Sequence, residues 1–171
     1  KYLKETYNIR ILEDNAHAIG AQYNHIKAGS CKNSDCSVFS FHPVKHMTTG
    51  EGGAITTNSK KIYEKLLMLR THGMVKSPEL KPWEYNMIDL GFNGRITDFQ
   101  CALGLSQLKK LDQFIKRRVE IAKRYDTAFK KSIIIPLYNY HGKSSYHLYV
   151  VKVDFTALSI TKLDLYNRLR E

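Results

Sequence analysis

Three short runs of strand-forming residues, each ending on a reactive side chain or next to a glycine-rich turn, constrain the fold of this chain more than any other feature. Ile9-Arg-Ile-Leu-Glu-Asp14 ends on two acids. Ser37-Val-Phe-Ser-Phe-His42 is the second run and Gly53-Ala-Ile-Thr-Thr57 the third. β-Branched and aromatic residues bounded by turn formers read as strands. Behind the third run, Asn58 or Ser59 caps a helix with Ile62, Leu66 and Leu69 on one face, and Gly73 is placed at its C′ position. Strands that alternate with helices predict an α/β fold.

Further along, Thr97-Asp-Phe-Gln100 has the form of a capping box. The stripe Cys101, Leu105, Leu108, Leu111, Ile115, Val119 and Ala122 predicts one helix running to about Phe129. Residues 1–7 predict the end of a helix, and residues 74–92, with Pro78 and Pro82, a long loop. Tyr146–Val153 predicts a strand, and Thr161 caps a final helix. A change of composition near residue 130 divides the chain into residues 1–130, an α/β part, and residues 131–171, the start of a smaller unit. The chain opens without Met inside one helix and stops inside another, so an incomplete protein is expected.

Composition narrows the class. Charged residues make up 25% and apolar residues 43%, the balance of a soluble globular domain. No run approaches the ~18 apolar residues that a transmembrane helix needs, so no membrane partner is expected. Three cysteines do not suggest a disulfide framework, and a reducing cytoplasm is expected. The net charge of +11 would attract anions. Its lysines are scattered in pairs such as Lys60-Lys61 and Lys130-Lys131, and no nucleic-acid motif accompanies them, so no specific nucleic-acid partner is expected.

Asp14 to Thr57 is the chemically informative stretch. Ligands of open α/β sheets bind outside the carboxyl ends of the strands. An acid (Asp14), a hydroxyl (Ser40) and a lysine (Lys45) fall at or just beyond such ends, with Thr49-Gly-Glu-Gly-Gly-Ala54 following. Each alone has a plainer reading: a turn-forming Asp, the polar face of a strand, a surface lysine, a glycine hairpin. His42 and His46 read as exposed, and with Cys31 and Cys36 they make no metal-ligand spacing, so no metal is expected. Together, the acid, hydroxyl and lysine are what pyridoxal phosphate requires: an amine for its aldehyde, a carboxylate for its ring nitrogen and donors for its phosphate. The glycine-lysine cradle of NTPases is missing.

Three motifs at these positions resemble the DegT/DnrJ family of sugar aminotransferases: Glu13-Asp-Asn-Ala-His-Ala-Ile-Gly-Ala21; Phe39-Ser-Phe-His-Pro-Val-Lys45 with Thr48-Thr-Gly-Glu-Gly-Gly-Ala54; and Gly91-Phe-Asn-Gly-Arg-Ile-Thr-Asp-Phe-Gln100 with Ala102-Leu-Gly-Leu-Ser-Gln-Leu108. Arg70-Thr-His-Gly-Met74 and Lys143-Ser-Ser-Tyr-His-Leu-Tyr149 are similar to the UDP-4-amino-4,6-dideoxy-N-acetyl-altrosamine transaminases of pseudaminic acid synthesis.

The resemblance implies an aspartate-aminotransferase-like (type I) large domain, incomplete, plus the start of the small C-terminal domain. It implies pyridoxal 5'-phosphate as cofactor, a nucleotide-linked 4-keto-6-deoxysugar as substrate, glutamate as amino donor and a homodimer. Lys45 matches the lysine that binds the cofactor's aldehyde, and Asp14 the carboxylate at its ring nitrogen. His17 matches the residue beside its 3-hydroxyl, and Ser40 a phosphate ligand. Asn93 matches a residue that reaches the neighbouring subunit's phosphate, and Arg95 is placed near a substrate phosphate. Dehydratases of the family carry His in place of the lysine, so Lys45 counts against sugar dehydration. The remaining alternative is a catalytically silent fragment.

Overall fold

The structure, a computed structural model, describes residues 2–137 and 142–171; Lys1, the first residue of the predicted opening helix, lies outside them. The chain runs α1 (Tyr2–Tyr7), β1 (Leu12–Asp14), β2 (Gln22–Tyr23), β3 (Ile26–Lys27), β4 (Cys36–Ser40), β5 (Gly53–Thr56) and α2 (Lys60–Arg70). It continues through β6 (Met74–Val75), β7 (Asn86–Met87), α3 (Asp98–Leu108), α4 (Leu111–Phe129) and β8 (Ile134–Pro136). It ends with β9 (Gly142–Lys143), β10 (Val151–Val153), α5 (Phe155–Leu158) and α6 (Lys162–Arg168). The three predicted strands are β1, β4 and β5, each shorter than its apolar run.

They form one mixed sheet in the order β1-β4-β5. β1 lies parallel to β4, with Asp14 opposite Val38, whereas β4 and β5 are antiparallel, with Ser40 opposite Gly53. Paired residues share a sheet face and successive residues alternate. Asp14, Val38 and Ser40 therefore lie on one face with Leu12 and Ile55, both largely exposed. Glu13, Ser37, Phe39 and Ala54 lie on the other. That second face is the covered one: Ser37 is fully buried and its hydroxyl accepts from Asn15 Nδ2 at 2.6 Å.

An ion cluster locks the lead-in to β1. Asp35 Oδ2 accepts the Ile11 N–H at 2.8 Å, and Oδ1 accepts Lys4 Nζ at 2.9 Å and Arg10 at 3.1 Å. The Ile11 N–H first, then Lys4, hold the Asp35 carboxyl down at about 2, below the ordinary value of 3.8. The depressed value makes its stabilisation complete above about pH 4 and lost as pH falls toward 2. Asp35→Asn is accordingly expected to lower the midpoint of urea unfolding at pH 6 while flattening its pH dependence between pH 4 and pH 2. Parallel curves for the two proteins across that window would refute the linkage.

The long helix read from the sequence is two helices. The Thr97 capping box is present, but α3 stops at Leu108 and α4 starts at Leu111. Lys109 N–H bonds to the Leu105 carbonyl and Lys110 N–H only three back, to Gln107, so the last turn tightens and the chain changes direction. The apolar stripe therefore does not face one way. Leu105 is 62% exposed and Leu108 is also exposed, whereas Leu111 is 8% and Ala122 2% exposed.

Three further readings need correction. Residues 74–92 contain the β6–β7 ladder, Met74 opposite Met87, so they are not one open loop. The strand predicted over Tyr146–Val153 is confined to Val151–Val153, because Ser144–His147 pack elsewhere. α2 is capped by Ser59, and its C-cap is Thr71. Gly73 is therefore at C″ and His72, with φ 63°, at C′. Gly73 N–H bonds to the Met68 carbonyl at 3.0 Å, the six-to-one bond of a Schellman ending.

Gly73 has φ +72°, and a Cβ there would lie 1.8 Å from the Asp89 carbonyl oxygen. Neither strain nor clash can relax without moving backbone. Gly73→Ala is expected to destabilise the protein by about 2–4 kcal/mol, read as a lower denaturant midpoint. An unchanged midpoint would show that residues 86–92 do not rest against the end of α2.

The accessible surface is 13421 Å², whereas a compact monomer of this mass exposes roughly 8,600 Å². Much of the excess is apolar: Trp83, Leu90, Phe92 and Phe99 are each more than two-thirds exposed. The buried core is correspondingly small, with Ala21, Cys31, Met47, Leu111 and Ala122 as its apolar members.

Candidate functional site

Asp14 closes β1. Its Oδ1 accepts the Ala16 N–H at 3.0 Å, which shapes the turn after the strand, and Asn15 N–H continues the ladder to the Val38 carbonyl at 2.9 Å. Ser40 closes the neighbouring strand two residues beyond Val38, on the face of Asp14. Its hydroxyl accepts only a long bond, 3.4 Å, from the His42 N–H.

Lys45 sits in the connection from β4 to β5. The neck of that loop is tied by Phe41 N–H to the Gly52 carbonyl at 2.8 Å, and Thr49 N–H and Thr48 Oγ1 both donate to the Phe41 carbonyl. Its base is held by α3: Gly104 lies so close to buried Thr49 that a Cβ there would sit 2.8 Å from the Thr49 methyl. Gln100 Nε2 donates to the Glu51 carbonyl at 2.9 Å. Lys45 is half-buried, and among the described residues its amine has no hydrogen bond or ion pair.

His17 lies in the turn after β1, and its ring rests against His147, with centroids 4.1 Å apart. His147 in turn meets His46, beside Lys45, at 5.3 Å. His46 was expected on the surface; it is 3% exposed, and its Nε2 lies 3.0 Å from the Ser145 carbonyl, so that nitrogen carries the proton. Burial first, then the Arg118 charge, push His46 down to about 4, against the opposing effect of the Ser145 bond. His147 is lowered too, by burial and then by the His17, Lys45 and Arg118 charges. The ring contacts thus link His46, the residue after Lys45, with His147 and His17.

Asn93 and Arg95 lie on the segment that follows Phe92 along the end of α2. Asn93 forms a bridge to Thr71, and Arg95 Nη1 lies 3.4 Å from His72 Nε2. Both are exposed, and among the described residues no hydrogen bond or ion pair joins them to Asp14, His17, Ser40 or Lys45. His147, His46 and Arg118 were missed as members of the cluster. The signal was available in Ser144-Ser-Tyr-His147, but nothing in the sequence says that this segment, about a hundred residues downstream, packs on the Lys45 loop.

The donor set fits pyridoxal phosphate. An exposed carboxylate and a hydroxyl with spare hydrogen-bonding capacity share one sheet face at adjacent strand ends, and the following loop carries an amine with no hydrogen bond or ion pair among the described residues.

Comparison with known proteins bears on the family and the cofactor. The chain is 45% identical over 152 residues to the UDP-4-amino-4,6-dideoxy-N-acetyl-beta-L-altrosamine transaminase of Campylobacter jejuni, covering 87% of this chain and 39% of that protein. Among solved structures it matches Helicobacter pylori PseC, an aminotransferase involved in the biosynthesis of pseudoaminic acid, with a TM-score of 0.86 and 37% identity, covering 98% of this chain and 45% of that one. It also matches Spr1654 of Streptococcus pneumoniae, described as a sugar aminotransferase and solved in a PLP form, with a TM-score of 0.76 and 35% identity, covering 90% and 40%. The chain spans less than half the length of these relatives. The expected type I α/β fold is the fold found. With residues 1–171 all matched, the chain belongs to the DegT/DnrJ/EryC1/StrS aminotransferase family.

Proposed function

We propose that this chain is part of a pyridoxal-phosphate-dependent aminotransferase that converts a nucleotide-linked 4-keto-6-deoxysugar to its amino sugar, for cell-surface polysaccharide or glycan synthesis. The observation that carries the reading is the Lys45 amine, without a hydrogen bond or ion pair among the described residues, on the tied loop that follows Ser40, whose strand end neighbours that of Asp14. Bound there, the cofactor would supply an aldehyde that exchanges amines and a ring that accepts an electron pair. Lys45 Nζ would hold the cofactor and then move a proton to and from the reacting carbon. Asp14 would keep the ring nitrogen protonated, Ser40 would hydrogen-bond the phosphate, and His17 would lie beside the 3-hydroxyl.

Asn93 would reach the phosphate of a second subunit, and Arg95 a substrate phosphate, which makes the working form a homodimer. Glutamate is proposed as amino donor and the cytoplasm as the compartment; among the described residues no helix is long and apolar enough to cross a membrane. The division into a large-domain part, residues 1–130, and the start of a small domain, residues 131–171, belongs to the same reading. Contacts bridge that boundary at several places: β9 pairs with β2, His46 bonds to the Ser145 carbonyl, Arg118 donates to the Tyr146 carbonyl and the Tyr149 hydroxyl donates to Asp126.

The test uses the full-length protein. Loading with pyridoxal phosphate, reducing with borohydride and mapping peptides should place the cofactor on Lys45. Adding glutamate and a UDP-linked 4-keto-6-deoxysugar should yield 2-oxoglutarate and the amino sugar. A label on another lysine with Lys45 free, or no amine transfer to any nucleotide keto-sugar, overturns the proposal.

A further inference from the structure

Histidine rings seldom stack three deep without a reason. Here His147 stands between His17, 4.1 Å away on one side, and His46, 5.3 Å away on the other, with both ring pairs tilted by 44°. The three rings come from distant parts of the sequence: the turn after β1, the loop of Lys45, and the segment between β9 and β10.

The wedge is held at its backbone. Arg118 of α4 donates from Nη1 to the Tyr146 carbonyl at 3.1 Å and to the His147 carbonyl at 3.4 Å. Ser145, 2% exposed, is fixed by its carbonyl bond with His46. The ring of His147 is not anchored in the same way: its Nδ1, like that of His46, is buried with no hydrogen-bond partner among the described residues. A buried polar nitrogen left unpaired costs free energy, so packing must hold the ring where it is. His46 is buried, whereas His17 is exposed. The stack therefore transmits order outward, from a fixed ring to one that solvent would otherwise leave free to turn.

We propose that His147 is a positioning residue, which sets the plane of the His17 ring by wedging it against buried His46. The role rests on reading His17 as the neighbour of the cofactor's 3-hydroxyl. In that place a flat ring must face the cofactor edge in one orientation, and small misplacements of such a group are costly. His147 touches neither cofactor nor substrate in this scheme. Its effect runs through His17.

The experiment compares His147→Ala and His147→Phe in the full-length protein with and without cofactor. Proton NMR of the histidine rings, with the His17 signals assigned by their loss in His17→Gln, reads the stack directly. His147→Ala should remove the ring-current shift of the His17 carbon-bound protons and lower kcat by about ten- to hundred-fold, with KM for the nucleotide sugar little changed. His147→Phe keeps a flat ring without nitrogen, and should preserve a shifted His17 signal and recover most of kcat. Should alanine unfold the protein, His147→Gln, bulky but not aromatic, takes its place.

His17 signals unmoved by loss of the His147 ring overturn the proposal. Movement of those signals with kcat unchanged overturns it as well. A wild-type protein with no aminotransferase activity, whose His17 signals still move in His147→Ala, refutes the functional reading instead and leaves the stacking contact standing.

Discussion

Replacing Lys45 by alanine in the full-length protein is expected to lower turnover by roughly 10³-fold or more. Lys45 sits on a loop that other residues hold in place. Its neck is closed by main-chain bonds between Phe41, Thr49 and Gly52, and α3 presses on its base through Gly104 and Gln100. None of those contacts uses the Lys45 side chain, whose amine has no hydrogen bond or ion pair among the described residues. Removing it should therefore cost stability only on the scale of about 1 kcal/mol. Activity and folding then separate: the unfolding midpoint stays near wild type while turnover and borohydride-stable labelling both vanish. Exposed Lys60, which pairs with Glu64, supplies the control, and Lys60→Ala should leave turnover unchanged. Turnover in Lys45→Ala within tenfold of wild type would remove Lys45 from the reaction.

Asp14→Asn is expected to lower turnover by roughly 10²- to 10³-fold while leaving cofactor affinity nearly intact. The amide has the shape of the carboxyl and still offers an oxygen to the Ala16 N–H, so the turn after β1 should survive. It lacks the negative charge proposed to keep the cofactor's ring nitrogen protonated, and without that proton the ring is a poor electron sink. Binding should persist because the Ser40 and Lys45 contacts do not depend on Asp14. The measurement is a pair of titrations, cofactor absorbance for affinity and steady-state kinetics for kcat. Wild-type kcat in Asp14→Asn would sink the assignment, and loss of cofactor binding with no further defect would recast Asp14 as an anchor only.

The residues proposed for the chemical centre could be picked out in the sequence because they are local. Asp14, Ser40 and Lys45 each lie at or just past the end of a short apolar run, and the ends of such runs can be read from β propensity and turn residues without knowing the partner strand. The Thr97 capping box was equally plain, since a cap is a contact between neighbours in sequence. Parallel or antiparallel pairing was not legible. Gly53–Thr56 returns antiparallel to β4 because the loop of Lys45 folds back on itself, and alternation looks the same in either direction. The break at Lys109-Lys110 was hidden because both halves carry an apolar stripe at helical spacing, and spacing does not say which way a stripe faces.

What the sequence alone determined is thus the three strands of the main sheet, the Thr97 cap and the family motifs, with Asp14, Ser40 and Lys45 as the residues it proposes for the chemistry. Tertiary structure decided which of them meet. It placed Asp14 and Ser40 on one sheet face by the β1–β4 register, and it set Asn93 and Arg95 against the end of α2, without a hydrogen bond to the Lys45 loop among the described residues. It also brought His147 across about a hundred residues to wedge between His17 and His46. The physical reason is that side-chain type and local propensity act over a few residues. Register and long-range packing depend on the free energy of closing loops and burying surfaces that only the folded chain brings together.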